Sequence, residues 1–169
     1  CVSWKMNGNS ALVESIVSGM KSIELSNSVD VVICPSSLYL AELANKLKTE
    51  ALPQVIAVGA QNVSEHSSGA FTGEISTNML SELSVKYVIV GHSERRSLYK
   101  ETSTQIAHKV HAVLNAGLTP ILCIGESESE RATEQTEIVL AAQIQPVIDE
   151  VGIEKFNDVV IAYEPVWAI

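Results

Sequence analysis

Three residues able to perform acid–base or charge chemistry stand at the ends of short apolar runs. Lys5 follows the first run, His92 follows YVIV and one glycine, and Glu164 follows VVIAY. A carboxylate partly shielded from water has a raised proton affinity and acts as a general base. A histidine at a helix start favours the neutral, hydrogen-bond-donating imidazole, and a lysine stabilises charge developing on oxygen. Together they suit proton abstraction next to a carbonyl, through an enediol-like intermediate.

Other polar residues occupy equivalent places along the chain. Gln61 and Asn62 follow the third apolar run, Glu94 lies just beyond His92, and Glu126 follows the fifth run. Ser93 is expected to be the N-cap of a helix that begins at SERR. In parallel α/β folds, ligands bind at the carboxyl ends of the strands, so these side chains are expected to converge on one site.

The apolar runs themselves predict the strands that position this chemistry. They are a short strand around residues 2–4, then VVIC (31–34), VIAV (55–58), YVIV (87–90), ILCI (121–124) and VVIA (159–162). The runs are continuous and do not alternate with polar residues. Continuous apolar runs of this length are typical of parallel strands covered on both faces.

Segments with helical periodicity separate the strands. Apolar residues recur at helical spacing from Leu12 to Ile23, Leu40 to Leu47, Ile106 to Leu114, and Ile138 to Ala142. A shorter helix is predicted over 79–83, and Gly117 is expected to end the helix before the fifth run. The pattern is a βα unit repeated about six times.

Two α/β architectures accept this repeat, an open doubly wound sheet and a closed (β/α)8 TIM barrel of about 250 residues. A dinucleotide-binding sheet should show GxGxxG after its first strand, but the sequence there is KMNGN. The barrel is therefore favoured, as an incomplete barrel of about six βα units. Residues 1–169 are expected to form a single partial domain. The missing initiator Met and the two missing barrel units suggest truncation at both ends.

Composition excludes several classes of protein. The net charge of −9 argues against a general affinity for nucleic acid or anionic membranes. No stretch approaches the roughly 20 consecutive apolar residues of a membrane span, and the start does not resemble a secretory signal, so a cytoplasmic location is expected. Cys34 and Cys123 lie inside apolar runs and are interpreted, with Cys1, as reduced thiols.

Two further patterns receive structural interpretations. His108 and His111, three apart on a predicted helix, lack an evident third ligand, so they are interpreted as solvent-facing and no metal site is expected. The acid-rich run from Glu126 to Glu137 is interpreted as a solvated loop and helix start. Lys5 and Glu164 also have structural interpretations without a function: Lys5 as a lysine that faces solvent, and Glu164 as a residue that ends a strand. Their shared location with His92 favours a functional site.

Five motifs carry a resemblance to a known family. They are WKMNG (4–8), GAFTGEIS (69–76), VIVGHSERR (88–96), ILCIGE (121–126) and YEPVWAI (163–169). In this order and spacing, the whole chain resembles triosephosphate isomerase. The resemblance implies a (β/α)8 barrel and a homodimer. It implies a small phosphorylated triose as substrate, with dihydroxyacetone phosphate and D-glyceraldehyde 3-phosphate interconverted without a cofactor in glycolysis and gluconeogenesis.

The resemblance also implies roles for individual residues. Glu164 matches the family's proton-abstracting base, His92 its electrophile and Lys5 its substrate-binding cation, roles that are established for this family. The sequence departs from the family at Ser3, where an asparagine is usual. A serine hydroxyl is shorter and offers fewer hydrogen-bond sites than a carboxamide, so the asparagine's role is not carried over.

Supporting positions follow from the same motifs. Ser93 and Glu94 match the residues beside the histidine, and Cys123 matches a thiol packed close to the site. The loop from Gly69 to Ile75 matches the segment that inserts into the partner subunit. Its expected contact region comprises Phe71, Thr72 and Gly73.

Two alternatives stay open at this stage. Ser3 and the missing units, which in the family carry phosphate-binding turns after the seventh and eighth strands, support a catalytically silent barrel fragment or an interaction module. Another phosphate-binding barrel enzyme would be expected to lack the combination of GHSERR with YEPVW. The isomerase is the leading hypothesis.

Overall fold

Six parallel strands form one curled sheet, an incomplete (β/α) barrel, in which neighbouring strands follow the order of the chain. A computed structural model of the chain describes residues 1–26, 28–50, 52 and 55–169. The strands are β1 (Val2–Ser3), β2 (Val31–Cys34), β3 (Ile56–Ala60), β4 (Tyr87–Val90), β5 (Thr119–Ile124) and β6 (Val160–Tyr163). The predicted fold class is confirmed, and the strand bounds differ from the prediction by up to two residues.

Helices connect successive strands, as the βα repeat predicted. They are α1 (Ser10–Met20), α2 (Leu40–Thr49), α3 (Thr77–Glu82), α4 (Ser93–Leu98), α5 (Ser103–Asn115), α6 (Glu128–Ala132) and α7 (Thr136–Val151). Short 3-10 turns span Ser37–Tyr39, Ile153–Asp158 and Val166–Ala168. Gly117, with φ +72°, follows α5 as expected, because a helix commonly ends at a residue with left-handed backbone.

Both faces of the central strands are covered. One set of strand residues, including Ile33, Val88 and Leu122, packs with buried helix residues in the main core. The alternate residues, including Val32 and Ile89, form a second buried cluster on the other face. Successive side chains of a strand point to opposite faces, so covering both faces requires the continuous apolar runs seen in β2 to β5.

The prediction of a strand buried on both faces is wrong for the last run. In β6, Val160 is 45% exposed, Ile161 41% and Tyr163 46%. Within the described part of the chain, β6 pairs with β5 alone and lies at the edge of the sheet. Its sequence is as apolar as that of β4, but its position leaves it open to solvent.

The apolar stripe predicted for the last helix is also wrong in phase. Ile138 is 71% exposed and Ala142 is exposed, whereas Val147 is fully buried. The packed face of α7 instead runs through Leu140, Ile144, Val147 and Val151. Two apolar stripes are present on this helix, and contact with α5 decides which one is buried.

The described residues contain no helix that is both long and apolar enough to cross a membrane. All three cysteines are free, and Cys34 and Cys123 are buried, as interpreted from their apolar runs. Burial raises the pKa of the Cys34 thiol to about 12, because an apolar environment disfavours the thiolate.

Candidate active site

Lys5 stands on a strained turn directly after β1. Its φ is +52°, in the left-handed region that costs a non-glycine residue about 1–3 kcal/mol. Two side chains hold this backbone in place. The Lys5 N–H donates to Ser3 Oγ at 3.3 Å, and Gln61 Nε2 donates to the Lys5 carbonyl at 3.0 Å. The turn therefore aims Lys5 away from the strand with help from the end of β3.

His92 lies where β4 turns into α4. The turn begins at Gly91, whose φ is +73° and whose missing side chain leaves room for Ile106 and Arg96. His92 itself is the N-cap, because its Nδ1 accepts the Glu94 N–H at 3.2 Å. The prediction that Ser93 caps this helix is wrong. The imidazole ring of His92 accepts the Glu94 N–H, so the helix begins one residue earlier than a Ser93 cap would place it.

This contact determines the tautomer of the imidazole. A backbone N–H can only donate, so His92 Nδ1 carries a lone pair and the ring proton is on Nε2. The His92 side chain is 14% exposed, which leaves its outer edge accessible. Within the described hydrogen bonds, the Nε2–H has no partner and is able to donate to a ligand.

Glu94 joins the histidine turn to the lysine. Lys5 Nζ donates to Glu94 Oε1 at 2.7 Å, across a sequence separation of 89 residues. This hydrogen bond lowers the pKa of the Glu94 carboxyl, and the positive charge of Lys5 adds to the effect. The contact fixes the direction of the lysine chain and links the ends of β1 and β4 directly through side chains.

Glu164 follows β6 at the opposite side of the site. Its backbone N–H donates to the Ile124 carbonyl at 2.9 Å, which extends the β5–β6 ladder by one step. Glu164 is exposed, so the expectation that its carboxylate is partly shielded from water is wrong for this structure. The exposure follows from its place after the edge strand.

One cleft brings the predicted trio together. Lys5, His92 and Glu164 all line a cleft of about 350 Å³. The other residues that line it are Ser3, Tyr163, Pro165, Ala168 and Ile169. Among these lining residues, Lys5 is the one cationic side chain. A cation, a hydrogen-bond-donating imidazole and a carboxylate therefore face the same volume, which is the size of a small-molecule site.

A second cleft of about 300 Å³ lies behind Glu164 and includes Cys123 and Ser93. Burial raises the pKa of the Cys123 thiol to about 11, and the negative charge of Glu164 adds to this effect. Arg96 Nη2 donates to the Cys123 carbonyl at 3.2 Å and Arg96 Nε donates to Gly91 O at 2.9 Å. The thiol is thus a buried neutral group packed beside the site.

Glu126 contradicts the interpretation of the acidic run as a solvated loop. It is fully buried. Its carboxylate accepts hydrogen bonds from Tyr163 Oη at 3.0 Å and Trp167 Nε1 at 3.2 Å. Burial opposes ionisation, but bonds from its own amide, Trp167, Tyr163 and Arg131 outweigh burial and lower the pKa of Glu126. Glu126 therefore holds side chains on both sides of Glu164.

The loop after β3 projects into solvent. Phe71, Thr72 and Gly73 are all exposed, and the Phe71 ring stacks on His66 with centroids 3.9 Å apart. Beside this loop lies a cleft of about 430 Å³, whose lining includes Met6 and Tyr99. These two side chains are 96% and 67% exposed. Gly73 of the predicted contact loop lines the same cleft, together with polar and charged residues that include Lys5 and His92, so the loop and the exposed Met6 and Tyr99 lie on the same side of the molecule.

His108 and His111 lie outside the site on α5. Their side chains are 48% and 42% exposed, which agrees with the interpretation as solvent-facing. His108 pairs with Glu65, and His111 pairs with Glu150 of α7. Within the described residues, no group of three or more His, Cys, Asp or Glu side chains could hold a metal ion.

Sequence reasoning missed two residues that organise the site. Arg96 is one, since it joins the ends of β4 and β5 to Ser103 of α5. The second is Gln143, which pairs with both backbone groups of Gly125. A signal was present for Gln143, because this polar residue lies on the same helical face as Leu140 and Val147.

Comparisons with known proteins agree with this geometry. The family model described as triosephosphate isomerase matches residues 1–169. The triosephosphate isomerase of Colwellia psychrerythraea is 73% identical over 167 residues, covering 99% of this chain and 65% of that protein. Those of Actinobacillus pleuropneumoniae serotype 3 and Halorhodospira halophila are 51% and 48% identical, each with 99% of this chain and 64% of the relative covered. The chain thus spans just under two thirds of the length of these relatives.

Proposed function

Because the chain belongs to the triosephosphate isomerase family, we propose that it forms the larger part of an enzyme that interconverts dihydroxyacetone phosphate and D-glyceraldehyde 3-phosphate. The observation that carries the proposal is the shared cleft. Lys5, His92 and Glu164 come from the ends of three different strands and line the same volume. A cation, a neutral donor and a carboxylate are the groups that a proton transfer next to a carbonyl requires.

The proposed reaction assigns one step to each group. Glu164 removes a proton from the carbon next to the substrate carbonyl, and the electron pair of that C–H bond forms the double bond of an enediolate. His92 donates a hydrogen bond from Nε2 to the oxygen on which negative charge develops. Lys5 adds positive potential at the same oxygen and at the substrate phosphate. His92 Nε2 then gives its proton to that oxygen and takes the proton of the neighbouring hydroxyl, whose oxygen becomes the new carbonyl. Glu164 returns its proton to the neighbouring carbon, so atoms and electrons balance.

The test of this proposal is Glu164→Gln in the completed protein, meaning this chain joined to the third of the Colwellia relative that it does not match. Glutamine keeps the size of the side chain but cannot accept a proton. We expect kcat to fall by about 10²- to 10⁴-fold with a much smaller change in KM, because a general base acts mainly in the transition state. Steady-state kinetics in both directions measure this.

Glu137→Gln is the matched control, because Glu137 is an exposed glutamate on α7 away from the cleft. It should leave kcat unchanged. A Glu164→Gln enzyme whose kcat stays within about threefold of the parent would exclude Glu164 as the base. The unjoined chain should show little turnover. Near-parental activity would mean that its own residues suffice for phosphate binding, whereas an inactive completed protein would favour a silent barrel fragment.

We also propose that the completed protein is a homodimer, in which the loop containing Phe71, Thr72 and Gly73 enters the cleft of a second copy. The exposed loop and the neighbouring cleft with exposed Met6 and Tyr99 support this arrangement. Exposed apolar side chains around a cleft are typical of an interaction surface.

The test of the dimer is Thr72→Arg, which adds a long charged side chain at the tip of the loop. Burying that charge without a partner is costly, so we expect the mass measured by light scattering after size exclusion to fall to that of a monomer. Ser18→Arg, on the exposed face of α1, is the control and should not change the mass. A Thr72→Arg protein that stays dimeric would place the interface elsewhere.

A further inference from the structure

Gln143 makes an unusual pair of contacts with one residue at the end of β5. Its Nε2 donates to the Gly125 carbonyl at 2.9 Å, and its Oε1 accepts the Gly125 N–H at 2.9 Å. The side-chain amide therefore matches the backbone amide in both directions, as a neighbouring strand would. Gln143 lies on α7, 18 residues further along the chain.

The sheet explains why Gly125 needs this partner. The Thr119 N–H points to the β4 side, where it donates to the Lys86 carbonyl. Alternate residues of a strand point the same way, so Gly125 also presents its backbone groups to the β4 side. The β4–β5 pairing ends at Val90 and Leu122. Gln143 thus takes the place of the β4 backbone one step beyond the paired strands.

The backbone of Glu164, the proposed base, packs directly against Gly125. A Cβ atom at residue 125 would lie only 2.0 Å from the Glu164 carbonyl oxygen and 2.8 Å from its carbonyl carbon. On both sides of this contact the two segments are hydrogen-bonded. The Glu164 N–H donates to Ile124 O and the Val166 N–H donates to Glu126 O, each at 2.9 Å.

We propose that Gln143 is a positioning residue for Glu164, acting through Gly125. Gln143 binds both backbone groups of Gly125 and so keeps this residue in strand geometry beyond the last residue of β5 that pairs with β4. The position of Gly125 then determines where the Glu164 backbone packs. This inference rests on the proposed function, in which Glu164 is the base. It also accounts for a polar residue on the packed face of α7, where Leu140 and Val147 are apolar.

The kinetic test is Gln143→Met in the completed protein. Methionine has a similar length and flexibility but removes both hydrogen bonds. We expect kcat to fall about tenfold with KM within about twofold, because a small displacement of a base affects the transition state more than substrate binding. Gln145→Met is the matched control, since Gln145 is on the same helix, is exposed and contacts only Asp149 in the described hydrogen bonds.

A second measurement follows the backbone itself. We expect the Gly125 amide to exchange with deuterium about tenfold faster in Gln143→Met than in the parent or in Gln145→Met, because exchange requires the opening of that amide's hydrogen bond. If Gln143→Met does not fold, Gln143→Leu also removes both hydrogen bonds with an apolar side chain, and the same two measurements apply to it.

The outcomes separate the two proposals. A parent that turns over normally, with kcat of Gln143→Met unchanged, overturns the positioning role even if Gly125 exchange accelerates. Unchanged Gly125 exchange overturns the inference as well. A Glu164→Gln enzyme that retains its turnover instead overturns the proposed function, and the positioning role with it. Reduced kcat, stable KM and faster Gly125 exchange together support the inference.

Discussion

Strands β4 and β6 have almost the same composition and opposite surroundings. β4 reads YVIV, and its Val88, Ile89 and Val90 are 0%, 4% and 1% exposed. β6 reads VIAY and leaves Val160 and Ile161 more than two fifths exposed. β4 pairs on both sides, whereas in the described residues β6 pairs only with β5. Burial here depends on the number of neighbours and not on residue type.

The same contrast reaches the site residues that follow each strand. His92, after β4, is held by its own capping bond, and nearby Glu94 is bonded to Lys5. Glu164, after β6, is held through its backbone by Ile124 and by packing against Gly125. The cation and the donor are therefore arranged by side-chain contacts, whereas the carboxylate is arranged by the backbone beneath it.

The largest expected effect compares the two strands directly. Ile89→Ala should lower the free energy of unfolding of this chain, tested without the joined segment, by about 2–5 kcal/mol, since it leaves a cavity in a buried cluster. Ile161→Ala, on the exposed strand, should cost less than half as much. Urea denaturation followed by circular dichroism measures both.

Equal losses for the two variants would contradict the comparison, because they would mean that β6 is as well covered as β4. Ile138→Ala, at a site on α7 that is 71% exposed, is the control. Its effect should be within about 0.5 kcal/mol, as for most surface substitutions.

The second prediction concerns the backbone beneath the carboxylate. Gly125→Ala places a methyl group 2.0 Å from the Glu164 carbonyl oxygen, so one of the two segments must move. We expect kcat of the completed protein to fall about 10²-fold, the effect of misplacing a reacting group by roughly 1 Å. Steady-state kinetics, with circular dichroism to verify folding, provide the measurement.

Gly19→Ala is the control for this change. Gly19 lies in α1, and a methyl group there would meet nothing within 4 Å beyond the backbone of its own helix. It should accept alanine with a gain in stability of up to about 1 kcal/mol. If Gly125→Ala retained parental kcat, the position of the Glu164 backbone would not depend on its contact with residue 125.

The smallest effect tests the side-chain link on the other side. The hydrogen bond from Lys5 lowers the pKa of Glu94, so Glu94 should titrate below the ordinary value of about 4.3. A depressed carboxyl pKa contributes stability above that ordinary value, and the contribution is lost as pH falls through the folded-state pKa. Carbon-detected NMR of the Glu94 carboxyl gives the midpoint.

Lys5→Met removes the donor and should return the Glu94 midpoint towards the ordinary value. Lys46→Met, which removes a lysine paired with Glu14 between α1 and α2, should leave the Glu94 midpoint in place. A midpoint that does not move in Lys5→Met would show that the lysine contact does not control the ionisation of Glu94.

Much of the fold followed from local patterns. The runs at 31–34 and 87–90 coincide with β2 and β4, because β-branched residues in continuous runs are favoured in strands with two covered faces. Lys5, His92 and Glu164 were placed correctly at strand ends, since parallel strands bring their carboxyl ends to one edge. Their chemical roles remain predictions.

The wrong predictions share a cause. Burial of β6, the buried stripe of α7 and solvation of Glu126 all depend on which other segment packs against them. The cap of α4 was assigned to Ser93 from propensity alone, but the turn at Gly91 lets the His92 ring accept the Glu94 N–H and begin the helix. Sequence patterns over a few residues do not show which distant segment will pack against a side chain, or which neighbouring side chain a turn will bring to a helix start.

The sequence by itself determined the parallel βα repeat, the family and the identity of the residues that could do chemistry, because each depends on residue types at short spacing. Only the tertiary structure decided that Glu126 is buried, that β6 pairs with β5 alone among the described residues, and that Gln143 supports Gly125. Hydrogen bonds and packing between segments far apart in the chain require coordinates in space, which sequence spacing does not specify.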